Sequence, residues 1–271
     1  MVDIHCHLLP GVDDGAPSVE VSLAMLRRGW EEGTEAAVLT PHLRPGHGPQ
    51  QAGLHQQRFA QLQEAARRAG LPVALHLGAE IEFRFGLATA ARWPGVALAG
   101  GRHVLVDLPS GPLSPALAQG FFELRAAGFR PILAHPERSR GLAGSPQLLQ
   151  QLRDQEVLCQ VDGGSLTGRF GRRARSAAED LVRRGWVEFA ASDAHDLEHR
   201  PFTLRRARAR VAELAGPEEA ERLFAANPRR LVEGNEIVRR QNGPAPQGLW
   251  SRWLRRRNEI GESVVPLWPL E

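Results

Sequence analysis

Short apolar runs recur along this chain, and each is followed by a stretch in which apolar positions return at helical spacing. The runs cover residues 2–5, 36–40, 73–80, 103–108, 131–135, 157–161 and 187–192, and each reads as a buried strand. Between them, 19–32, 51–69, 115–127, 146–155 and 172–184 read as amphipathic helices. Several end in a glycine suited to a left-handed C-cap: Gly29 or Gly33, Gly70, Gly128 and Gly185. Regular strand-then-helix alternation predicts a parallel sheet. Without a nucleotide-binding glycine fingerprint, closure into a barrel of about seven βα units fits the length better than an open sheet. Segments 202–215 and 217–226 predict closing helices, and Asn227-Pro228 starts one more.

From about Arg240 the composition shifts to Gln, Asn, Gly and Pro, which marks a linker. Residues 1–239 are therefore expected to form one barrel domain, and 240–271 a tail. In that tail Leu249, Trp250, Trp253 and Leu254 form a stripe opposite Arg252, Arg255, Arg256 and Arg257. Such a helix can dock on its own or a neighbouring subunit, which allows an oligomer, or lie on an anionic membrane surface.

Composition narrows the chemistry. The 271 residues are 42% hydrophobic, enough for one large core, and no apolar run approaches the roughly 20 residues of a membrane span. The opening Met1-Val2-Asp3 leads into a strand rather than a signal peptide, and Cys6 and Cys159 give no disulfide framework. Both features predict a cytoplasmic protein. All 34 basic residues are arginine, and there is no tyrosine. A Schiff-base lysine, a P-loop lysine, a carboxylated-lysine metal bridge and a tyrosine nucleophile are thereby excluded. The same lack of titratable groups explains a pI near 9.9 beside a net charge of only +3, so the pI does not argue for nucleic-acid binding. Cysteine-dependent phosphatase chemistry needs Cys-x5-Arg, yet the sixth residue after Cys6 is Val12 and after Cys159 is Ser165.

In a βα barrel, functional groups sit where strands end. The first strand here ends in His5-Cys6-His7, followed by Asp13-Asp14; the second ends in Thr40-Pro41-His42 and the third in Gly78-Ala79-Glu80. Asp107 closes the fourth, Ala134-His135-Pro136-Glu137-Arg138 the fifth, and Ser192-Asp193-Ala194-His195 the last. In His5-Cys6-His7 the two imidazoles share a strand face while Cys6 points away. So many imidazoles and carboxylates on one rim would be unfavourable without divalent cations. The mixed nitrogen and oxygen donor set favours manganese, iron or zinc in open, multinuclear coordination. Such a centre suits phosphoester hydrolysis, in which one cation generates hydroxide and others bind the non-bridging and leaving oxygens.

These motifs, in this order from Met1 to about Glu233, resemble the polymerase-and-histidinol-phosphatase (PHP) superfamily. More narrowly they resemble its bacterial manganese-dependent protein-tyrosine phosphatases, encoded with capsule and exopolysaccharide genes. The resemblance implies a distorted (βα)7 TIM-like barrel holding three ions, with manganese expected and iron, cobalt or zinc as alternatives. His5, His7, Glu80 and Asp193 would hold one ion, and Glu80 would bridge to a second held by His135. Asp14, His42 and His195 would surround the third, with Asp14 preferred to Asp13. Asp107 stands where relatives usually have glutamate and would reach its metal through water. Arg138 and Arg200 match positions that face the substrate phosphate, so the candidate catalytic residues are Arg138, Arg200, Asp193 and His195. The implied substrate is a phosphotyrosine protein, namely a tyrosine kinase that regulates polysaccharide export. Histidinol phosphate is the competing substrate, and a metal-stapled adaptor at the membrane the non-catalytic alternative. An amidohydrolase also opens with His-x-His but commonly needs the missing lysine. His47, His55, His76, His103 and His199 match no ligand motif and are expected at surface or supporting positions.

Overall fold

The computed structural model describes residues 1–43, 48–84, 86–109, 113, 116–143 and 145–240, so the Trp/Arg stripe of the tail and His47 lie outside the described residues. Among the described residues nine parallel strand segments form the wall: β1 (Val2–Cys6), β2 (Ala36–Leu39), β3 (His42–Leu43), β4 (Ala74–Leu77), β5 (Glu80–Glu82), β6 (His103–Asp107), β7 (Arg130–Ala134), β8 (Leu158–Asp162) and β9 (Phe189–Ala191). They pair as β1-β2-β4 and as β3-β5-β6-β7-β8-β9. Each of the second and third staves predicted from sequence is thus split in two. Pro41, which has no N–H to donate, interrupts the second, and Gly78-Ala79 the third. Hydrogen bonds still cross both breaks, from Gly78 N to Leu39 O at 2.8 Å and from Glu80 N to Pro41 O at 3.1 Å. The result is a distorted barrel.

Its seam lies between β1 and β9, joined by one isolated bridge, Cys6 to Ala194. Asp3 reinforces it, because its carboxylate accepts from the Ser192 hydroxyl at 2.5 Å and the Ser192 N–H at 3.0 Å. Beside the seam, β1 carries a register irregularity: Asp3 pairs with Ala37 but Cys6 with Leu39, so three steps of β1 match two of β2. This bulge places consecutive residues inside. Ile4 packs in the barrel interior with Val38, Leu105, Ile132, Phe189 and Leu231, while His5 bonds Gln160 on β8. A bulge that re-aims a side chain is characteristic of strands beside functional sites.

Around the wall lie the main helices α1 (Val19–Glu31), α2 (Gly48–Arg68), α3 (Leu117–Ala126), α4 (Pro146–Asp154), α5 (Gly171–Arg184) and α6 (Leu204–Ala215). Gly33, Gly70, Gly128 and Gly185 all have positive φ, as C-capping requires. Gly29 instead lies inside α1, where a Cβ would stand 3.0 Å from the Phe202 ring. Outward-facing Cys159 and Val161 join the apolar layer beneath the helices, whereas Gln160 and Asp162 alternate to the interior. None of the described helices is long and apolar enough to cross a membrane.

One buried ion pair fastens α4 to β8 and β9. Arg153 donates to Glu188 at 3.0 Å and to the Trp186 carbonyl at 2.6 Å, and Glu188 accepts the Cys159 N–H at 2.8 Å. Breaking such a pair strands a buried cation, which typically costs about 3–5 kcal/mol. Glu188→Ala should therefore lower unfolding stability by about that amount, read from urea denaturation. A change under about 1 kcal/mol would mean that the pair is dispensable.

Candidate metal centre

The C-terminal ends of the strands bring His5, His7, Glu80, Asp193 and His195 together, all nearly inaccessible to solvent. His135 and Asp193 occupy positive φ, 30° and 50°, a conformation that costs non-glycine residues energy and recurs where side chains must be aimed.

Hydrogen bonds fix which ring nitrogens are free. Gln160 donates through its amide nitrogen to the Val161 carbonyl at 2.8 Å, leaving Gln160 Oε1 to accept from His5 Nδ1 at 2.9 Å. Asp13 Oδ2 accepts from His7 Nδ1 at 2.8 Å and also takes the His42 N–H at 3.0 Å. The Asp193 carbonyl accepts from His195 Nδ1 at 2.9 Å. With their Nδ1 atoms donating, His5, His7 and His195 in the neutral form present lone pairs at Nε2. Yet His5 Nε2 and His7 Nε2 stand 3.1 Å apart. Asp193 Oδ1 lies 3.3 Å from the first and 3.4 Å from the second. Asp193 Oδ1 and His195 Nε2 are both buried without a hydrogen-bond partner among the described residues. Acceptor atoms this crowded in a dry interior need a cation to hold them; in the metal-free protein a proton serves at His7, whose ring Asp13, Asp193 and Glu80 raise well above its ordinary value against burial. The donor set fits divalent metal.

Three groups of ligand atoms converge: His5, His7 and Asp193; His5, Glu80 and His135; and His7, Asp14, His42 and His195. Glu80 lies at their centre. Its Oε1 is 3.0 Å from His135 Nε2 and 3.5 Å from His5 Nε2, while its Oε2 is 2.9 Å from His42 Nδ1 and 3.5 Å from His7 Nε2. Asp14 Oδ1 lies 3.2 Å from His42 Nε2 and 3.6 Å from His195 Nε2, whereas Asp13 is occupied in orienting His7. Asp107 stands 3.6 Å from His135 Nδ1, on the side of the ring away from Glu80 and outside the three groups. His55, His76, His103 and His199 also fall outside them. His55 and His103 are buried, and burial holds each ring down at about 4.

The charge balance follows from this crowding. Burial opposes charge on His42 and His135, but Asp14 and Glu80 around the first and Glu80 around the second outweigh it and raise each to about 9. His195 goes the other way, to about 3, through burial and its neighbour His7. The surrounding imidazoles hold Glu80 and Asp193 ionised despite burial.

Asp193 also faces a second kind of partner. Its Oδ2 accepts from Arg138 Nη1 and from Arg200 Nη2, each at 2.5 Å. Arg200 Nε is buried with no partner among the described residues, an N–H awaiting an acceptor. One carboxylate thus joins the imidazole cluster to two guanidinium groups. An anion at this junction would meet both.

Sequence reasoning passed over Gln160, Asp162, Asp3 and Ser192, which orient the site. A signal existed: Gln160 and Asp162 are polar at alternate positions of an otherwise apolar strand.

Residues 1–233 match the family model described as capsular polysaccharide synthesis, CpsB/CapC, and the chain belongs to that family. The tyrosine-protein phosphatase YwqE of Bacillus subtilis is 29% identical over 246 residues, covering 90% of this chain and 96% of that protein. A crystal structure from work on YwqE and on CpsB of Streptococcus pneumoniae, described as unique metal-dependent tyrosine phosphatases, superposes with a TM-score of 0.84 at 28% identity. It covers 91% of this chain and all of that one. An amidohydrolase from Mycoplasma synoviae shares the fold at a TM-score of 0.55 and 12% identity, covering 96% of this chain and 95% of that one.

Proposed function

We propose that this member of the CpsB/CapC family is a metal-dependent protein-tyrosine phosphatase, acting in the cytoplasm on a tyrosine kinase of capsule or exopolysaccharide synthesis. The observation that carries this reading is Asp193, shared between a cation-seeking imidazole cluster and two anion-seeking arginines. Residues 1–239 make up the catalytic unit, and 240–271 carry the linker and basic Trp/Arg-rich segment read from the sequence. His5, His7, Glu80 and Asp193 would hold one ion, Glu80 and His135 a second, and Asp14, His42 and His195 a third. Asp107 would steady His135 or reach the second ion through water. Three manganese ions fit this donor set, with iron, cobalt or zinc able to replace them.

Bound divalent cations would supply an activated water and Lewis-acid polarisation of the phosphoryl oxygens. The chain's own residues do the rest. Arg138 and Arg200 bind the phosphoryl group through their guanidinium edges and stabilise charge as it builds in the transition state. Asp13, Gln160 and the Asp193 carbonyl keep three rings in the ligating tautomer. A tyrosine phenolate, with a pKa near 10, leaves with little help from a general acid.

Rates on a phosphotyrosine peptide, a phosphoserine peptide and histidinol phosphate, measured on protein loaded with manganese, test the substrate reading. The phosphotyrosine peptide should give the highest kcat/KM. Faster turnover of histidinol phosphate would reassign the substrate.

Loading should also release protons. His42 and His135 carry a proton below about 9 in the metal-free protein but must be neutral to ligate. At pH 7 each should expel about one proton as metal binds, and so should His7, whose ring Asp13, Asp193 and Glu80 hold well above its ordinary value against burial, so affinity should rise with pH through and beyond 9. His195, neutral already, adds none. Calorimetric titration in buffers of different ionisation enthalpy checks this, and a binding enthalpy independent of buffer would contradict it.

A further inference from the structure

Asp162 ends β8 as a fully buried carboxylate outside every group of converging ligand atoms. Its Oδ1 accepts the Gly164 N–H at 2.6 Å, and its Oδ2 accepts from Arg138 Nη1 at 3.1 Å. Its own N–H donates to Glu137 Oε1 at 3.0 Å, which fixes the strand end to the loop that carries Arg138. The Phe170 ring lies against the guanidinium face, with Arg138 Cζ 4.3 Å from the ring centroid. Gly164 leaves room for both: a Cβ there would stand 2.8 Å from Phe170 Cε2 and 3.1 Å from Asp162 Oδ1. The guanidinium is therefore held at Nη1 and on one face. Neither Nε nor Nη2 has a hydrogen-bond partner among the described residues, which leaves both to bind an anion.

We propose that Asp162 is a positioning residue that, with Phe170, keeps Arg138 aimed at the substrate phosphate; the inference rests on the phosphatase reading above. Asp193 cannot do this alone, because its Oδ2 is divided between Arg138 and Arg200 while its Oδ1 faces the metal-seeking imidazoles. Asp162 has no such competing duty. A long arginine side chain loses much rotamer freedom on binding, and holding it in place beforehand removes that cost from phosphate capture.

Asp162→Asn keeps the volume but turns one acceptor into a donor. Because both partners of the carboxylate are N–H groups, the amide cannot satisfy the two together. The variant should lower kcat/KM on a phosphotyrosine peptide about tenfold and raise the inhibition constant of inorganic phosphate by a similar factor. Metal content and melting temperature should stay close to those of the parent. In an Arg138→Ala background the same substitution should cost nothing further, because the residue it positions is gone. An equal loss in both backgrounds, or parent-like rates and phosphate inhibition, would overturn the proposal. Should Asp162→Asn not fold, Phe170→Leu carries the test: a loss of about threefold that vanishes in the Arg138→Ala background supports the clamp, and an unchanged rate contradicts it. If the parent itself does not hydrolyse phosphotyrosine, the phosphatase reading fails. Calorimetric binding of inorganic phosphate to the same variants then decides the clamp separately.

Discussion

Asp193→Asn is expected to lower kcat/KM for a phosphotyrosine peptide by roughly a thousandfold or more while the barrel stays folded. The substitution preserves shape, so packing against His5, His7 and the two arginines is retained. What changes is the charge. Oδ1 meets two Nε2 lone pairs at 3.3 and 3.4 Å, and Oδ2 meets two guanidinium N–H groups. An amide must aim its NH2 at one of these sides. Toward the arginines it sets donor against donor; toward the imidazoles it removes the anion that a bound cation needs. Kinetics, metal analysis and thermal melting together separate these effects from unfolding. Activity within tenfold of the parent would show that Asp193 does not organise the centre.

Arg138→Ala and Arg200→Ala should each lower kcat/KM by about a hundredfold to a thousandfold with metal content unchanged. Neither arginine offers a lone pair to a metal, yet both donate to Asp193, a member of one converging group. Their loss should weaken inhibition by inorganic phosphate along with turnover, since the proposed role of each guanidinium fork is to bind the phosphoryl oxygens of both. Lysine is a poor replacement at either position, because a point charge cannot reproduce the planar fork. A variant that loses metal in proportion to activity would make these residues supports for the ligand shell.

Much of this architecture was legible in the chain. Apolar runs followed by helical spacing located the staves because parallel strands covered by helices are apolar throughout, and glycines with positive φ marked where helices stop. The clustering of His5, His7, Glu80, His135, Asp193 and His195 was legible too, since barrel topology delivers strand ends to one rim. Other features were hidden because they depend on partners distant in sequence. The bulge in β1 is a property of its pairing with β2, and a run such as Val2-Asp3-Ile4-His5 does not show that Ile4 and His5 both face inward. Asp13 and Asp14 are neighbours with separate tasks, one orienting His7 and the other facing His42 and His195; the family resemblance favours Asp14, but the physical reason lies in the loop's path. Gln160 and Asp162 carried a pattern that can be read, polar residues at period two on a buried strand, but their targets lie on β1 and beyond β7. Arg138 and Arg200 stood out only by motif position, three residues after His135 and five after His195, because residue type carries no signal in a chain whose 34 basic residues are all arginine.

The most direct test is phosphate release from a phosphotyrosine peptide by chelator-stripped protein titrated with manganese, with bound metal measured on the same samples. Activity should rise from background to its plateau only as more than one ion binds per chain, and substituting His42 or Asp193 should abolish the rise. Full activity in excess chelator, or none at any metal loading, would contradict a polynuclear phosphatase centre on this rim.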